Sequence, residues 1–389
     1  MNRSSKRAIW LFYAIAFLEA LYFYAPVASL YRMEFGVTLF QITLIESAFF
    51  AVALLLEMPW GFFTARFGYK NTLLATGALN VLAATLFWRA NGFGMFLAQR
   101  CVLAAAVSGF SGCDAAYLSR LAEPGEYHKA LGRYNAAPFM AVAATGAGFS
   151  LILPLGYRML ALLTLLCVSV GFILRLWLPQ VEAEPQDMLP LRQQLRALGQ
   201  VLGQNRPFLL FVICGAVLYE VENTLTVFFS SPAYQGAGIA QSWYGVLNLS
   251  LNLVGMAGSL LSVRLAEKGA GRAVAACWLM ALVSGAMLCF TQSALALIVL
   301  LPLLRLAAQG YRPCELVLKN QRTGGASRAV VLSAYSMAGS IVGITLWPLL
   351  GAGTGAALRY GFYTGFSLVL LAALITLTVW RRIVLSRSM

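Results

Sequence analysis

Gly61-Phe-Phe-Thr-Ala65-Arg66-Phe-Gly68-Tyr69-Lys70 separates two long apolar runs, one over 38–62 and one over 71–89. A helix rises about 1.5 Å per residue and the hydrocarbon core of a bilayer is roughly 30 Å thick, so about 20 mostly apolar residues are enough to cross it. Both runs meet that requirement, and the glycine- and cation-bearing stretch between them reads as their connection at a membrane face. Carried outward in both directions, the same rule gives twelve spans, at 8–31, 38–62, 71–89, 93–119, 130–154, 157–178, 207–230, 241–264, 272–292, 294–318, 329–350 and 357–380. Turn punctuation divides them at Asn91-Gly92, Leu155-Gly156, Gly236 to Gly238 and Gly351 to Gly355.

Composition supports this reading. Of 389 residues, 60% are hydrophobic and 11% charged, and the mean hydropathy is +0.77; a soluble domain carries about 25% charged residues. The net charge of +14 does not imply nucleic acid, because the basic residues are scattered singly between apolar runs and form no stripe on a hydrated face. Their distribution is a topology signal. With both termini in the cytoplasm, 21 of the 28 Lys and Arg fall on the inner side, from Arg3, Lys6 and Arg7 through Arg175 to Arg381, Arg382 and Arg387. Only Arg32, Arg89, Arg158 and Arg359 fall outside, while Arg100, Arg305 and Arg312 lie within spans. The basic Met1–Arg7 flank precedes an apolar run too long for a signal peptide and without a small-residue cleavage site, so a retained first span is expected.

The longest connection, Pro179 to Arg206, carries Glu182, Glu184 and Asp187 and then leucines at roughly helical spacing. It reads as a cytoplasmic linker ending in an interfacial amphipathic helix. The expected organisation is an all-α membrane protein with a six-helix bundle over 1–178, a linker over 179–206 and a second six-helix bundle over 207–389. Equal halves of this kind suggest an internal repeat with a site at the membrane midplane. Cys101, Cys113, Cys167, Cys214, Cys277, Cys289 and Cys314 all sit in apolar stretches with no CxxC pair, and read as packing residues. Phosphate loops, zinc spacings and nucleophile elbows do not occur, and His128 stands alone in a charged loop, so neither an enzyme nor a metal or cofactor site is expected.

The stretch at Gly61 resembles the loop signature of the major facilitator superfamily, commonly G-x-L-A-D-R-x-G-R-K, at Gly61, Arg66, Gly68 and Lys70. The resemblance implies the major facilitator fold, with a glycine allowing close helix approach and charges forming an inner-side latch. The usual Asp is Ala65 here; Asp114, near the cytoplasmic end of span 4, lies where related proteins place a second acidic member, and the resemblance implies it as a partner of Arg66. Arg100 with Ala104 and Gly109 is a loose match to the R-x-x-x-G element of the same family. Ala143 to Gly148 lacks the G-P-x-x-G-G signature of drug antiporters. In the second half, Glu222-Asn-Thr-Leu225 is similar to the E-T-L stretch of Gram-positive drug:proton antiporters, and Arg312-Pro313 to an R-P pair of those pumps. That resemblance implies a proton-coupling role for Glu222, although the acid those pumps carry before R-P is Gln309 here.

Ten charges fall inside spans: Glu19, Glu46, Glu57, Asp114, Glu220, Glu222, Glu315, Arg100, Arg305 and Arg312. At roughly 2.5–3.5 kcal/mol each, exposing all of them to lipid would cost about 25–35 kcal/mol. Most must therefore line a wet cavity, pair, or lie near an interface. Glu19, Tyr22 and Pro26 share one face of span 1, a wall suited to a cationic or aromatic solute. Glu46 is a candidate for solute contact, and Glu57, one turn before Gly61, for a gate with Gly61, Arg66, Gly68, Lys70 and Asp114. Glu220 and Glu222 lie about 200° apart on their helix, so one faces the cavity and the other pairs with a neighbouring helix. Arg305, Gln309 and Arg312 form a stripe in span 10, read either as a cavity wall for an anion or, with Glu315, as an Arg312–Glu315 pair. The expected function is proton-coupled export of lipophilic cationic or zwitterionic small molecules from a cell's inner membrane by a monomer, with Glu222 and Glu19 carrying the proton. The alternative is proton symport of an anionic or zwitterionic nutrient or chelate, held by Arg100, Arg305 and Arg312. The partners are thus a small-molecule substrate, protons and the lipid bilayer.

Overall fold

The computed structural model describes residues 3–123, 125–181, 206–267, 269–291, 293–322, 328–355 and 357–385. Among these the chain is helical throughout: α1 (Arg3–Glu19), α2 (Ala28–Glu34), α3 (Leu39–Arg89), α4 (Phe93–Phe110), α5 (Cys113–Leu121), α6 (Tyr127–Ile152), α7 (Tyr157–Arg175), α8 (Arg206–Asn223), α9 (Ser230–Gly236), α10 (Tyr244–Glu267), α11 (Ala270–Phe290), α12 (Ala294–Arg322), α13 (Arg328–Ala352) and α14 (Leu358–Leu385). The amphipathic helix expected before Arg206 lies outside the described residues.

Ten described helical segments are long and apolar enough to cross a membrane. One of them, α3, contains two spans, because its continuity is broken at Gly68, where φ is 81° and ψ 167°. L-residues rarely adopt that conformation, and a side chain there would also press within 3.2 Å of Gln180 Nε2. Adding the first span, which is assembled from α1 and α2, brings the total to the twelve read from the sequence.

Three of those spans are less regular than a hydropathy reading implies. Span 1 is interrupted: α1 stops at Glu19, a 3₁₀ turn at Ala25–Val27 contains Pro26, and α2 completes the crossing. With α1 ending at Glu19, the Phe23 amide has no helical acceptor, and backbone freed inside a membrane must find another partner; it donates to Thr164 Oγ1 at 3.0 Å. Span 4 breaks between α4 and α5, where Gly112 takes φ 82°. Span 7 widens into a π turn over Thr224–Phe228 immediately after Glu222 and Asn223, and such turns concentrate at functional positions. A sliding apolar count does not register any of these breaks, since the interrupting residues are themselves apolar or small.

The residues cluster into two compact units. The first takes 1–38, 48–187 and 241–249, and the second 39–47, 188–240 and 250–389. In the first, Phe12 stacks on Tyr134 at 5.0 Å and tilts against Tyr117 at 5.4 Å, with Leu73, Leu118 and Leu178 closing the core. Its segment 241–249 is held in part by the Tyr157 hydroxyl, which donates to Gln241 Oε1 at 2.8 Å. In the second, α8 is the central helix, packed against α12, α13 and α14. The Ser47 hydroxyl of its segment 39–47 donates to the Ile344 carbonyl of α13 at 2.6 Å. All seven cysteines are free thiols, buried or half-buried.

Candidate functional site

In the first unit the break in span 1 leaves Glu19 at the last turn of α1, facing α7. Arg175 meets it with both ends of the guanidinium, Nε donating to Oε1 at 2.8 Å and Nη2 to Oε2. The same arginine donates through Nη1 to the Leu73 carbonyl and to Thr76 Oγ1 at 3.1 Å, and its guanidinium lies 5.0 Å from the Phe110 ring centroid. A planar fork matched to a carboxylate is the strong form of an ion pair. Both partners are mostly enclosed, Arg175 at 3% and Glu19 at 11% side-chain exposure. Two glycines make the room: a Cβ on Gly171 would come within 2.8 Å of Glu19 Cγ, and one on Gly77 within 3.0 Å of Arg175 Cδ. The pair forms part of the wall of a largely apolar cleft of about 640 Å³ of open space, shared with Tyr22, Asn80, Phe110 and Tyr134. Tyr22, as expected from its register with Glu19, lines this cleft together with Asn80.

Arg175 was expected at the inner membrane face as the terminal cation of span 6. Its side chain instead turns into the unit, because an unpaired Glu19 at this depth would cost several kcal/mol. Arg32, expected outside, is likewise buried at 3% exposure. Arg100, expected to line a cavity, lies over the Phe49 ring at 4.4 Å and within electrostatic reach of Tyr22.

The second unit holds a comparable pair. Glu222, fully buried, accepts from Arg305 Nη1 at 2.8 Å, from Thr226 Oγ1 at 2.7 Å and from Gln309 Nε2 at 3.4 Å. Arg305 and Gln309, one turn apart on α12 and on one stripe of it, both converge on the acid. Gly255 of α10 backs them, with an added Cβ 3.2 Å from Gln309 and 3.3 Å from Arg305. Arg312, the third member of that stripe, goes elsewhere: its guanidinium sits 4.0 Å from the Tyr219 ring centroid. The Arg312–Glu315 pair offered by their spacing does not form, since Lys319, on the next turn of the same helix, binds Glu315 at 2.7 Å. Glu220 points away from Glu222, as the 200° separation requires, and accepts from Trp347 Nε1 of α13 at 2.9 Å. Glu46 is buried at 1% exposure and lies within electrostatic reach of Glu220.

The residues expected to gate are only partly brought together. Glu57 and Gly61 line a second, more polar cleft of the first unit with Trp60, Ser108 and Ser111, with about 750 Å³ of open space. Asp114 opens α5, where its carboxylate accepts the Ala115 amide at 2.7 Å and the Tyr134 hydroxyl at 3.0 Å. Arg66 lies over the Phe67 ring at 5.4 Å and makes no bridge to Asp114 among the described residues. Tyr134 thus takes the place expected of Arg66, because the helix break at Gly112 directs Asp114 toward α6. Lys70 is half-buried and Gly68 buried at the kink of α3. Sequence reasoning overlooked Arg175, Gly171, Thr226 and Trp347. Thr226 had a usable signal, standing four residues after Glu222; the others offered none short of tertiary structure.

Twelve spans with two acid–arginine pairs enclosed among them describe a polytopic membrane carrier. The chain belongs to the Major Facilitator Superfamily, whose family model matches residues 9–348, and is a transporter of that superfamily. Its fold is shared with a bacterial homolog of the human lysosomal transporter Spinster in an inward-facing, unoccupied conformation (16% identity, 97% of this chain and 96% of that one, TM-score 0.72). Similar likeness extends to a variant of the nucleoside transporter NupG (11% identity, 96% and 99%, TM-score 0.77) and a D-xylose-proton symporter (14% identity, 96% of each, TM-score 0.73). No curated protein matches the sequence.

Proposed function

We propose that the chain is a proton-coupled carrier that exports lipophilic zwitterionic or cationic small molecules by alternating access, with both termini in the cytoplasm. The observation that carries this reading is Glu222, a carboxylate with no exposure whose charge is balanced by Arg305 at 2.8 Å. A proton arriving on Glu222 removes that balance. Arg305 is then left needing water or an anionic group, and the α8–α12 contact loses its reason to stay closed. The π turn that follows Glu222 supplies backbone able to shift at that point.

The Glu19 cleft supports the solute class. A mostly apolar wall with Tyr22, Phe110 and Tyr134 suits a lipophilic body, while a carboxylate and a guanidinium side by side suit the two charges of a zwitterion. The similarity of Glu222-Asn-Thr-Leu225 to the stretch in drug:proton antiporters favours outward solute movement. A membrane potential would add about 2.3 kcal/mol per net charge moved for each 100 mV.

A second reading, proton symport of an anionic or zwitterionic nutrient, is favoured by one observation: each of the two acids is already met by an arginine. In that case protonating Glu222 releases Arg305 to the solute, and proton and anion bind together. Proteoliposomes with an imposed pH gradient separate the two. Export predicts movement of lipophilic cations and zwitterions against the proton flow, lost in Glu222→Gln. Accumulation of organic anions with the proton flow, with cationic dyes ignored, would overturn it in favour of symport.

A further inference from the structure

The charged pairs leave one large space of the second unit unused. Between α11 and α14 lies an almost wholly apolar cleft of about 640 Å³, lined among others by Gly271, Ala275, Trp278, Leu282, Ala373 and Trp380. Its rims are leucines turned outward, Leu279 and Leu377, each 65% exposed. From Gly271 to Leu282 the cleft follows α11 for about 16 Å at 1.5 Å per residue, close to half of the roughly 30 Å hydrocarbon core. It therefore runs the depth of one leaflet and stops near the midplane.

The two ends of the cleft differ in charge. Trp380 closes one end against Gly271, where even a Cβ would stand 3.0 Å from the indole. At that end Arg272 is exposed, and Arg381 and Arg382 follow Trp380 in the chain. Tryptophan beside cations is the signature of a membrane–water interface. Toward the other end no charge occurs in the sequence over 273–304 or 360–380. An amphiphile fitting this shape has a chain one leaflet long and an anionic head.

We infer that the α11–α14 cleft binds an anionic diacyl phospholipid, one acyl chain lying along Ala275 and Leu282 and the phosphate placed at Arg272 beside Trp380. The leaflet, cytoplasmic by the distribution of Lys and Arg, rests on the orientation proposed above; the binding itself does not, nor does it depend on any transport activity.

The test uses the full chain, stripped of lipid in detergent, and native mass spectrometry with phosphatidylglycerol or phosphatidylcholine of identical acyl chains. One phosphatidylglycerol should be retained per chain, with about fivefold preference over phosphatidylcholine, the discrimination expected from a single interfacial cation. Arg272→Gln, a change at an exposed position, should abolish the preference while leaving weak binding of both lipids. Ala275→Phe, which places a ring across the path of the acyl chain from an exposed position, should remove the retained lipid altogether. Equal retention of the two lipids by the unaltered chain would overturn the inference, as would an adduct that survives Ala275→Phe. A dimer that Ala275→Phe dissociates would assign the cleft to a second copy of the chain instead.

Discussion

The Glu19–Arg175 and Glu222–Arg305 pairs use the same ingredients and reach different balances. Arg175 spends its donors on both oxygens of Glu19, the Leu73 carbonyl and Thr76, and the acid retains 11% exposure at the edge of a cleft. Arg305 meets Glu222 through a single nitrogen, its Nε has no partner, and the acid has no exposure at all. In the first pair the arginine is closely satisfied and the acid partly wetted; in the second the acid is fully enclosed, with Thr226 and Gln309 as further donors, while the arginine keeps an unpartnered Nε. Glu19 is the acid that opens on a cleft, and Glu222 the one whose charge is met by an arginine inside the fold, which is why we assign the solute to the first unit and the proton to the second.

The largest expected effect sharpens that division. Glu222→Gln should reduce pH-gradient-driven flux in proteoliposomes by two orders of magnitude or more, on the order of the loss of an essential proton carrier, and render the residual flux insensitive to pH. Glu19→Gln should retain a pH response while weakening solute affinity. If the two substitutions exchange these phenotypes, the roles are reversed.

Stability distinguishes the pairs next. Arg305→Ala leaves a fully buried carboxylate and should cost about 3–5 kcal/mol when Glu222 is charged. Arg175→Ala should cost about 3 kcal/mol, the lower end of the same range, because Glu19 retains some access to water. Thermal unfolding in detergent compares them, and an Arg175 variant less stable than the Arg305 variant would contradict the ranking. Raising acidity should rescue the Arg305 variant by protonating the stranded acid.

Smaller effects probe the walls. Gly171→Ala drives a methyl group toward Glu19 and should cost about 1–3 kcal/mol by overpacking, with solute affinity falling and the pH dependence unchanged. Thr226→Val removes one hydrogen bond to Glu222 and should cost about 1 kcal/mol, read as a modest change in stability with a displaced pH profile of transport. A Thr226→Val profile identical to that of the unaltered chain would argue that Glu222 is not the titrating group.

Much of this was legible beforehand. The apolar runs and their punctuation defined the spans, and the stripe of Arg305 and Gln309 and the opposed directions of Glu220 and Glu222 followed from helical geometry alone. The arginine that neutralises Glu19 was not legible, because Arg175 is 156 residues away in the chain and has the local appearance of a helix-terminal cation. The expected Arg66–Asp114 latch gave way to a Tyr134–Asp114 bond, a consequence of the break at Gly112 that no periodicity displays.

What the chain alone determined was its solvent: runs of carbon-rich side chains must lie in lipid, and backbone amides in lipid must close into helices. What only tertiary structure decided was the pairing of its buried charges. Enclosed carboxylates are stabilised by whichever cation reaches them at hydrogen-bonding distance, and that depends on helices brought together from distant parts of the chain, on glycines that leave room, and on breaks in the helices that turn a side chain from one neighbour to another.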